Sequence, residues 1–473
     1  MISFDNDLAS PGKSIYMIAI CGTGMTALAG MLKAEGYDVR GSDQNVYPPM
    51  STLLSELGIP VDSGFDAAHL VPKPDLVVIG NAMSRGNPEV EAVLNRKIPY
   101  ISLPVALRDF FIRGNYSCVV AGTHGKTTTS ALLAWVLENA GKDPGFFVGG
   151  IPENFGQGYR VGKGGIFVSE GDEYDSAFFD KGSKFLHYMP DLLILNNLEF
   201  DHADIFRNYE DVELSFRRLI NLVPGEGYIV ACWDDPNIRK IAPAAFSELV
   251  SFGLSEDADF RATSVTTDVE GTHFEVVLKG ETFGRFSSPL FGLHNVRNVL
   301  AVIAAAMQLG LSVPQIQRGI ATFRNVRRRF QFLGEKNGVK IFDDFAHHPT
   351  AIATTIDGMR RRFPGHRVWA MFEPRSATSK RKVFEHELVE ALAGADHAII
   401  APIYMPEKVP ENERLDLQAV SRGVQNRQTP CHVLTPDDEM LSFLKSNLKS
   451  NDIALFMSNG DFHQMPVKLL HEL

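Results

Sequence analysis

One stretch, VVAGTHGKTTTSALLAWVLENAG from Val119 to Gly141, constrains the fold of this chain most strongly. Its first apolar residues end a predicted buried strand, and an Ala/Leu/Trp face then recurs at helical spacing until Gly141 supplies a stop signal. Between strand and helix lies GTHGKTT, which has the glycines and the lysine–threonine pair of a phosphate-binding loop. Strand, loop and helix in this order predict a nucleoside triphosphate site in an α/β domain.

Each residue type in the loop has a predicted use. Glycines let the backbone wrap a phosphate, and the start of the helix presents unpaired N–H groups to it. Lys126 can then reach the β- and γ-phosphates, and the Thr127 hydroxyl can ligate Mg²⁺. An ordinary tight turn with a solvated lysine is the alternative. The predicted phosphate contacts are Gly122, Thr123, His124, Gly125, Lys126, Thr127 and Thr128.

Composition excludes several classes of protein. The 473 residues predict about three domains at ~150 residues each. A hydrophobic content of 44% and a charged content of 22% are ordinary for a globular protein. The formal net charge of −11 argues against a nucleic-acid-binding surface, which is normally basic. No apolar run approaches the ~18 residues that a membrane helix needs, so we expect neither a nucleic-acid partner nor a membrane partner.

The termini and cysteines favour a cytoplasmic protein. The start, MISFDNDLASPGKS, is polar and acidic, unlike a signal peptide. Four widely spaced cysteines without a C-x-x-C pair are typical of reduced thiols rather than disulfides or a zinc site. The oligomeric state is not fixed by any of these features.

The first segment, residues 1–113, opens like a dinucleotide-binding fold. IYMIAICGTGMTALAGMLKAEGYDVRGSD predicts strand, glycine-rich turn, helix and second strand, with Gly22, Thr23 and Gly24 in the turn and Asp43 at the second strand end. The glycine spacing departs from G-x-G-x-x-G, so a βαβ unit without a nucleotide is the alternative. A further strand ends at Asn81. Ligands of open α/β sheets bind at such carboxyl ends.

The second segment, residues 114–325, places acids at two strand ends. EGDEYD begins with Glu170, and LEFDHADIF contains Asp201, His202 and Asp204. Carboxylates beside a phosphate loop suit Mg²⁺, although any one of them alone fits a solvated loop. Glu170 and His202 are the two predicted metal positions. His202 is predicted although imidazole has a poor affinity for Mg²⁺.

The rest of this segment predicts a β-hairpin and a helix. Apolar and polar residues alternate along THFEVVLKGETFGRFSSPL, and Lys279-Gly280 predicts the turn between its two strands. Asn295 and Asn298 then lie one turn apart near the start of a helix, where they fit either an adenine edge or N-terminal capping.

The third segment, residues 326–473, repeats strand, polar loop and helix, which predicts a second doubly wound sheet. Asp344, His347 and His348 follow one strand, and adjacent histidines point apart, which favours positioning over metal binding. Arg375 follows another strand, and its planar guanidinium can bind a carboxylate with two hydrogen bonds. The alternative is an ordinary surface ion pair.

The ordered motifs GTHGKTT, EGDEYD, the loop ending in His202, HNVRN, RRRF, DDFAHHP and SNGDF together resemble the Mur ligase family, the ATP-dependent amide ligases of peptidoglycan assembly. The resemblance covers the whole chain. It implies an α/β fold of three domains: a Rossmann-like UDP-sugar-binding domain (1–113), a central P-loop ATPase domain with a small β-hairpin part (114–325), and a Rossmann-like doubly wound domain (326–473) that closes over ATP and the incoming amine.

The resemblance also implies residue roles. Lys126 would contact the γ-phosphate. Thr127 and Glu170 would bind one Mg²⁺, and His202 would lie at a second. Lys126, His202, His347 and His348 are the implied catalytic group. Further ATP contacts would be Asn295, Asn298, Arg329 and Asp344; the UDP-sugar contacts Gly22, Thr23, Gly24, Asp43 and Asn81; and the peptide contacts Arg375, Ser376 and Lys380. For the carbamylated lysine of other branches there is no secure counterpart, although Lys181 and Lys184 lie in that region.

Three stretches, SDQNVYPPMSTLL, FDKGSKFLHYMPDLLILNNLEFDHADIF and FEPRSATSK, resemble the branch that recycles murein. That branch joins the tripeptide L-Ala-γ-D-Glu-meso-diaminopimelate to UDP-N-acetylmuramate through an acyl phosphate. The alternative is the biosynthetic branch that adds L-alanine. Folylpolyglutamate-type ligases share the ATPase core, while a P-loop switch and a non-enzymatic UDP-sugar sensor are rivals from other classes.

Overall fold

The computed structural model describes residues 10–203 and 205–473, so Asp204 and the first nine residues lie outside the described residues. The chain forms two compact units. The first comprises Met1–Glu199, Glu210–Phe260 and Ala301–Gly319, and the second comprises Phe200–Tyr209, Arg261–Leu300 and Ile320–Leu473. Both contain parallel sheets with flanking helices, which confirms the predicted α/β class.

The first sheet is parallel, with strand order β3-β2-β1-β4-β5. The apolar strands β1 and β4 are buried because helices cover both faces of such a sheet. Strand order reverses between β1 and β4, so the loops after these strands open a crevice at their carboxyl ends. The elements are β1 Ser14–Ile18, α1 Thr23–Ala34, β2 Asp38–Asp43, α2 Met50–Glu56, β3 Val61–Ser63, β4 Leu76–Ile79, α3 Pro88–Asn95, β5 Tyr100–Ser102 and α4 Leu103–Leu107.

The second sheet of the first unit has the order β14-β13-β12-β6-β9-β7-β8, with β8 antiparallel to its neighbour. Strand β6, which leads into the phosphate loop, lies between β12 and β9, so three carboxyl ends meet there. The elements are β6 Tyr116–Ala121, α5 Lys126–Asn139, β7 Gly145–Phe147, β8 Tyr159–Arg160, β9 Ile166–Gly171, β10 Asp175–Ala177, β11 Asp180–Ser183, β12 Leu192–Leu195, α6 Tyr209–Ile220, β13 Tyr228–Cys232, α7 Pro236–Ile241 and β14 Glu248–Gly253.

The predicted β-hairpin is confirmed. It consists of the antiparallel strands β16 and β17, joined at Lys279 and Gly280, whose φ angles of 47° and 91° are those of a tight hairpin turn. The elements of this part of the chain are β15 Phe260–Thr267, β16 Thr272–Leu278, β17 Glu281–Ser288, α8 Leu293–Gln308 and α9 Val313–Ala321.

The sheet of the second unit has the order β18-β19-β23-β20-β21-β22, parallel except for β18. Alternate residues of β20 enter opposite cores: Val368 and Ala370 pack on one face, Trp369 and Met371 on the other. The elements are β18 Gln331–Lys336, β19 Val339–Asp344, α10 Pro349–Arg362, β20 Arg367–Phe372, α11 Glu385–Ala393, β21 His397–Ile400, α12 Leu417–Gln425, β22 Cys431–Val433, α13 Asp438–Asn447, β23 Asp452–Met457 and α14 Met465–Glu472.

This order makes β23 the neighbour of both β19 and β20. The loops after these three strands, DDFAHHP, FEPRSATSK and SNGDF, therefore share one edge of the sheet. None of the helices formed by the described residues has the length and apolar character needed to traverse a bilayer.

Candidate active site

The phosphate loop has the backbone that its glycines predict. Gly122 and Gly125 adopt φ angles of 147° and 80°, which favour glycine. A Cβ atom on Gly122 would lie 3.0 Å from Cβ of Asn196 and 3.1 Å from the backbone nitrogen of Asn197. Helix α5 starts at Lys126, immediately after the loop. The chain thus aims the N-terminus of α5 at the space above β6.

Lys126 is almost completely buried, with 9% of its surface exposed. Its Nζ donates to the carbonyl oxygen of Gly122 at 2.7 Å and to Oε2 of Glu173 at 2.8 Å. Burial lowers the pKa of Lys126, but the carboxylates around it, Glu173 first, outweigh burial and raise that pKa. The side chain is therefore a fixed ammonium ion at neutral pH.

Thr127 and Glu170 form a pair of buried oxygen ligands. Thr127 Oγ1 donates to Glu170 Oε1 at 2.7 Å, and Glu170 Oε2 accepts from the backbone N–H of Gly149 at 2.6 Å. Burial, reinforced by the charge of Asp172, raises the pKa of Glu170. A hard divalent cation prefers such oxygen ligands and would relieve this concentration of negative charge.

Sequence analysis missed the residues that fix the loop from outside. The Asn197 side chain accepts from the backbone N–H of His124 at 2.7 Å and donates to its carbonyl oxygen at 3.1 Å. Asn196 Nδ2 donates to Thr129 Oγ1 at 3.0 Å. His124 Nε2 lies 3.2 Å from Glu199 Oε2. The sequence feature that could have identified these residues is the pair of asparagines directly after the apolar strand β12.

The two lysines considered for carbamylation are engaged with carboxylates. Lys181 Nζ donates to Asp175 Oδ2 at 2.5 Å, and Lys184 Nζ lies 3.5 Å from Asp172 Oδ2 and 4.0 Å from the centre of the Tyr174 ring.

The predicted UDP-sugar residues lie at one edge of the first sheet. Gly22 precedes α1, which begins with Thr23 and Gly24. Asp43, at the end of β2, accepts from the backbone N–H of Cys21 at 2.9 Å and so holds the glycine-rich turn. Asn81, which follows β4, donates to Asp175 Oδ1 at 3.3 Å.

In the second unit, three histidines surround the buried carboxylate of Asp201. Its Oδ1 accepts from the backbone N–H of His202 at 2.7 Å and from Thr378 Oγ1 at 2.8 Å. Burial alone would raise the pKa of Asp201, but the charges of His202, His347 and His348, with the Thr378 hydrogen bond, hold it well below its usual range. His348 also caps α10, in which Pro349 takes the first position.

A small, open cavity lies beside this carboxylate. Its polar lining includes Asp201, His347 and His348, together with Ser376 and Thr378 of the FEPRSATSK loop. The wall also includes apolar side chains, among them those of Phe372, Phe384, Leu388 and Leu415. The cavity therefore suits a small group with a polar end and a short apolar part.

Three of the remaining predicted ATP residues, Asn295, Asn298 and Asp344, are buried in the second unit, whereas Arg329 is partly exposed. Asn298 Nδ2 donates to Asn295 Oδ1 at 3.0 Å inside α8. Asp344 accepts from the backbone N–H of Phe330 at 2.7 Å, and burial raises its pKa although Arg329 opposes that change. The Arg329 guanidinium lies over the Phe345 ring, 4.8 Å from its centre.

The three predicted peptide residues differ in exposure and in their contacts. Arg375 stacks on the Tyr404 ring at 3.9 Å and pairs with Asp461 at 3.1 Å. Ser376 Oγ donates to Ser379 Oγ at 2.8 Å and helps to close the loop. Lys380 is 93% buried, so its side chain presents little surface to a ligand.

Three domain models of one family match consecutive parts of the chain. They are "Mur ligase family, catalytic domain" over residues 14–114, "Mur ligase middle domain" over 120–306 and "Mur ligase, glutamate ligase domain" over 328–460. The phosphate loop lies at the start of the middle match, and the loops after β19, β20 and β23 lie within the third.

Relatives match along almost the full length. The UDP-N-acetylmuramate–L-alanyl-γ-D-glutamyl-meso-2,6-diaminoheptandioate ligase of Escherichia coli is 44% identical, over 97% of this chain and 98% of its own. The ligase of the same name from Haemophilus influenzae is 39% identical over 98% and 99%. The crystal structure of a murein peptide ligase from Psychrobacter arcticus is 35% identical, covers 97% and 98%, and superposes with a TM-score of 0.73. With this agreement in sequence and fold over all three parts, the chain belongs to the Mur ligase family.

Proposed function

We propose that this member of the family joins the tripeptide L-Ala-γ-D-Glu-meso-diaminopimelate to the lactyl carboxylate of UDP-N-acetylmuramate, with ATP converted to ADP and phosphate. The observation that carries the proposal is the full-length similarity to two ligases whose names specify these substrates. The phosphate loop with its buried lysine supports the use of ATP.

The chemistry requires activation of a carboxylate, which is a poor electrophile toward amines in water. One carboxylate oxygen attacks the γ-phosphorus of ATP, and the bond to the β,γ-bridging oxygen breaks to release ADP. The resulting acyl phosphate is attacked by the neutral amine of the peptide. The tetrahedral intermediate then expels inorganic phosphate and leaves an amide. The protein must therefore bring several anionic oxygens together and shield their repulsion.

We assign this shielding to Lys126 and the backbone N–H groups of the phosphate loop. Lys126 already lies within reach of the loop carbonyls, and its ammonium stays charged despite burial. Asn197 holds the backbone of His124 by both its N–H and its C=O, which keeps the loop open to a phosphate. A preorganised loop stabilises developing charge without reorganising during the reaction.

We assign one Mg²⁺ to Thr127 and Glu170, whose hydroxyl and carboxylate oxygens lie 2.7 Å apart. This oxygen pair fits a hard cation, which when bound would neutralise phosphate charge. We assign a second Mg²⁺ to the surroundings of His202, whose imidazole is by itself a poor ligand for this ion.

The cavity beside Asp201 is our proposed place for the reacting amine. The Asp201 carboxylate would accept a hydrogen bond from the amine, and His347 or His348 would position it or take its proton. The apolar wall would receive the methyl group of the L-alanyl residue.

The other assignments remain proposals of the same kind. Asn295, Asn298, Arg329 and Asp344 would bind ATP, and Gly22, Thr23, Gly24, Asp43 and Asn81 the UDP-sugar. We place the domain limits at 113/114 and 325/326; the family matches to 14–114, 120–306 and 328–460 support this division. Because ATP and the UDP-sugar are cytoplasmic metabolites, we propose that the enzyme acts there.

The test is phosphate release from ATP and Mg²⁺ with UDP-N-acetylmuramate and the tripeptide. We expect release only when all components are present, together with a product that has the mass of the amide. Release that needs neither the UDP-sugar nor an amine would favour an ATPase switch. Release with L-alanine but not with the tripeptide would establish the alternative, the alanine-adding ligase.

A further inference from the structure

The antiparallel pair β7–β8 lies at one end of the sheet that carries the phosphate loop. Phe147 and Tyr159 lie opposite each other in this pair. Strand β7 also pairs with β9, where Phe147 is level with Ser169, the residue before Glu170. Two residues beyond β7, the backbone N–H of Gly149 donates to Glu170 Oε2 at 2.6 Å. The β7–β8 pair is therefore attached directly to a proposed Mg²⁺ ligand.

The same pair contacts helix α1, which follows the glycine-rich turn of the first sheet. A Cβ atom on Gly30 would lie 2.3 Å from the hydroxyl oxygen of Tyr159 and 2.8 Å from Cζ of its ring. The phenol therefore fills the space that a side chain at this buried position would occupy. Nearer the turn, a Cβ atom on Gly24 would lie 3.6 Å from Cζ of Phe147. Both aromatic side chains thus lie against α1.

The β10–β11 hairpin forms a second connection between the two sheets. It begins shortly after Glu173, the buried partner of Lys126. Its first residue, Asp175, accepts from Asn81 Nδ2 at 3.3 Å. Phe178, in the turn of the hairpin, packs against the core of the first sheet. This hairpin also runs from the phosphate loop to the sheet that carries the predicted UDP-sugar residues.

The proposed chemistry depends on the distance between the two substrate sites. The lactyl carboxylate must reach the γ-phosphorus of ATP, and reacting atoms have to be held about 3–3.5 Å apart. A misplacement of about 1 Å can cost about 100-fold in rate. Because the two sites lie on different sheets, their separation is set by the contacts between those sheets.

We propose that Tyr159 and Phe178 are positioning residues that fix the UDP-sugar site relative to the phosphate loop. Tyr159 acts through α1, and Phe178 acts through the core of the first sheet. The proposal rests on the proposed function, because phosphoryl transfer to a bound carboxylate is the step that needs this alignment. A loss of alignment slows that step and leaves each binding site intact.

The first variant, Gly30→Ala, places a methyl group where the phenol lies. Because non-bonded atoms approach to about 3.5 Å, either α1 or the phenol must move by about 1 Å. We expect kcat for amide formation to fall about 10-fold or more, while KM for ATP and for UDP-N-acetylmuramate stays within about 3-fold of the wild-type value. Phe178→Ala acts at the second connection and should give the same change.

The double variant Gly30→Ala/Tyr159→Leu distinguishes alignment from a general defect in α1. The shorter side chain makes room for the new methyl group, so kcat should return to within about 3-fold of the wild-type value. Gly225→Ala is the matched control, since a Cβ atom on this exposed glycine would meet no atom within 4 Å. Calorimetric titration with each nucleotide verifies that every variant retains both sites in full.

Hydroxylamine identifies the step that is slowed. In the absence of the peptide, it attacks the acyl phosphate, forms a hydroxamate and releases phosphate. The rate of hydroxamate formation therefore reports the first step alone. It should fall in parallel with kcat in Gly30→Ala and in Phe178→Ala.

An unchanged kcat in both single variants, whatever their KM values, would overturn the proposal. A double variant as slow as Gly30→Ala would overturn it as well. Slower amide formation at an unchanged rate of hydroxamate formation would place the defect in the peptide step and would also contradict it. A wild-type enzyme that forms no hydroxamate from ATP and UDP-N-acetylmuramate would instead overturn the proposed function itself.

Discussion

The phosphate loop of the first unit and the Arg375–Asp461 ion pair of the second place their charged groups by different means. In the phosphate loop, Gly122 to Thr128 are consecutive, and the lysine is buried among carbonyl oxygens and Glu173. In the ion pair, Arg375 and Asp461 lie on different loops, 86 residues apart in sequence, and meet because β20 pairs with β23. The first arrangement is local and rigid, whereas the second depends on the sheet.

This difference has an energetic consequence. Removing a buried charge leaves its partner without compensation in a medium of low polarity, whereas a half-exposed ion pair is worth little to stability. Changes at the phosphate loop should therefore affect both activity and folding, while changes at the ion pair should have little effect on folding.

The largest effect is expected for Lys126→Ala. The loss of the γ-phosphate contact should reduce tripeptide-dependent phosphate release by about 10³-fold or more. Because Glu173 then stays buried without its cation, the free energy of unfolding should fall by about 3 kcal/mol. Urea unfolding and a phosphate assay measure the two quantities.

The double variant Lys126→Ala/Glu173→Gln separates these effects. It should recover stability but not activity, since the uncompensated carboxylate is gone while the phosphate contact is still absent. Substantial turnover in either variant would contradict the role given to Lys126.

A smaller effect is expected for Asn197→Ala, which removes both hydrogen bonds to the backbone of His124. At about 1 kcal/mol each, their loss should raise KM for ATP about 10-fold or more and leave KM for the tripeptide unchanged. Asn447→Ala, which removes an exposed bond to a helix carbonyl, is the control. An unchanged KM for ATP would mean that the loop holds its shape without Asn197.

The smallest effect concerns Asp201 and depends on pH. Its folded-state pKa is depressed, so its ionised form stabilises the protein above the ordinary carboxyl pKa of about 3.9, and this stabilisation is lost as pH falls through the folded pKa. Asp201→Asn should therefore lower the thermal midpoint by about 2 °C at pH 5 and by less at pH 3. The exposed Asp38→Asn is the control. A difference in thermal midpoint between the wild type and Asp201→Asn that grows as the pH falls would contradict this prediction.

The phosphate loop could be predicted because its chemistry is consecutive in sequence. Glycine positions, the lysine and the helix start are all local, and the structure places them together. The strand ends Asp43, Asn81 and Glu170 were also found from pattern alone, since an apolar run followed by a polar residue marks the carboxyl end of a buried strand.

The residues that contact the predicted site residues from other parts of the chain could not be predicted in the same way. Asn197 reaches His124 because β12 lies beside β6, and no local pattern gives that pairing. Asp461 reaches Arg375 only through the order of the sheet in the second unit. Lys380 is buried, and its charge alone does not report that burial. Its role as a peptide contact stays a prediction. The assignment of His347 or His348 as a base stays a prediction.

The most direct test of the central claim is a competition between two amines. Wild-type enzyme receives UDP-N-acetylmuramate, ATP and Mg²⁺ with equal concentrations of L-alanine and L-Ala-γ-D-Glu-meso-diaminopimelate, and the products are identified by mass. The account predicts that the UDP-N-acetylmuramoyl tripeptide forms in large excess. A product dominated by UDP-N-acetylmuramoyl-L-alanine would contradict it.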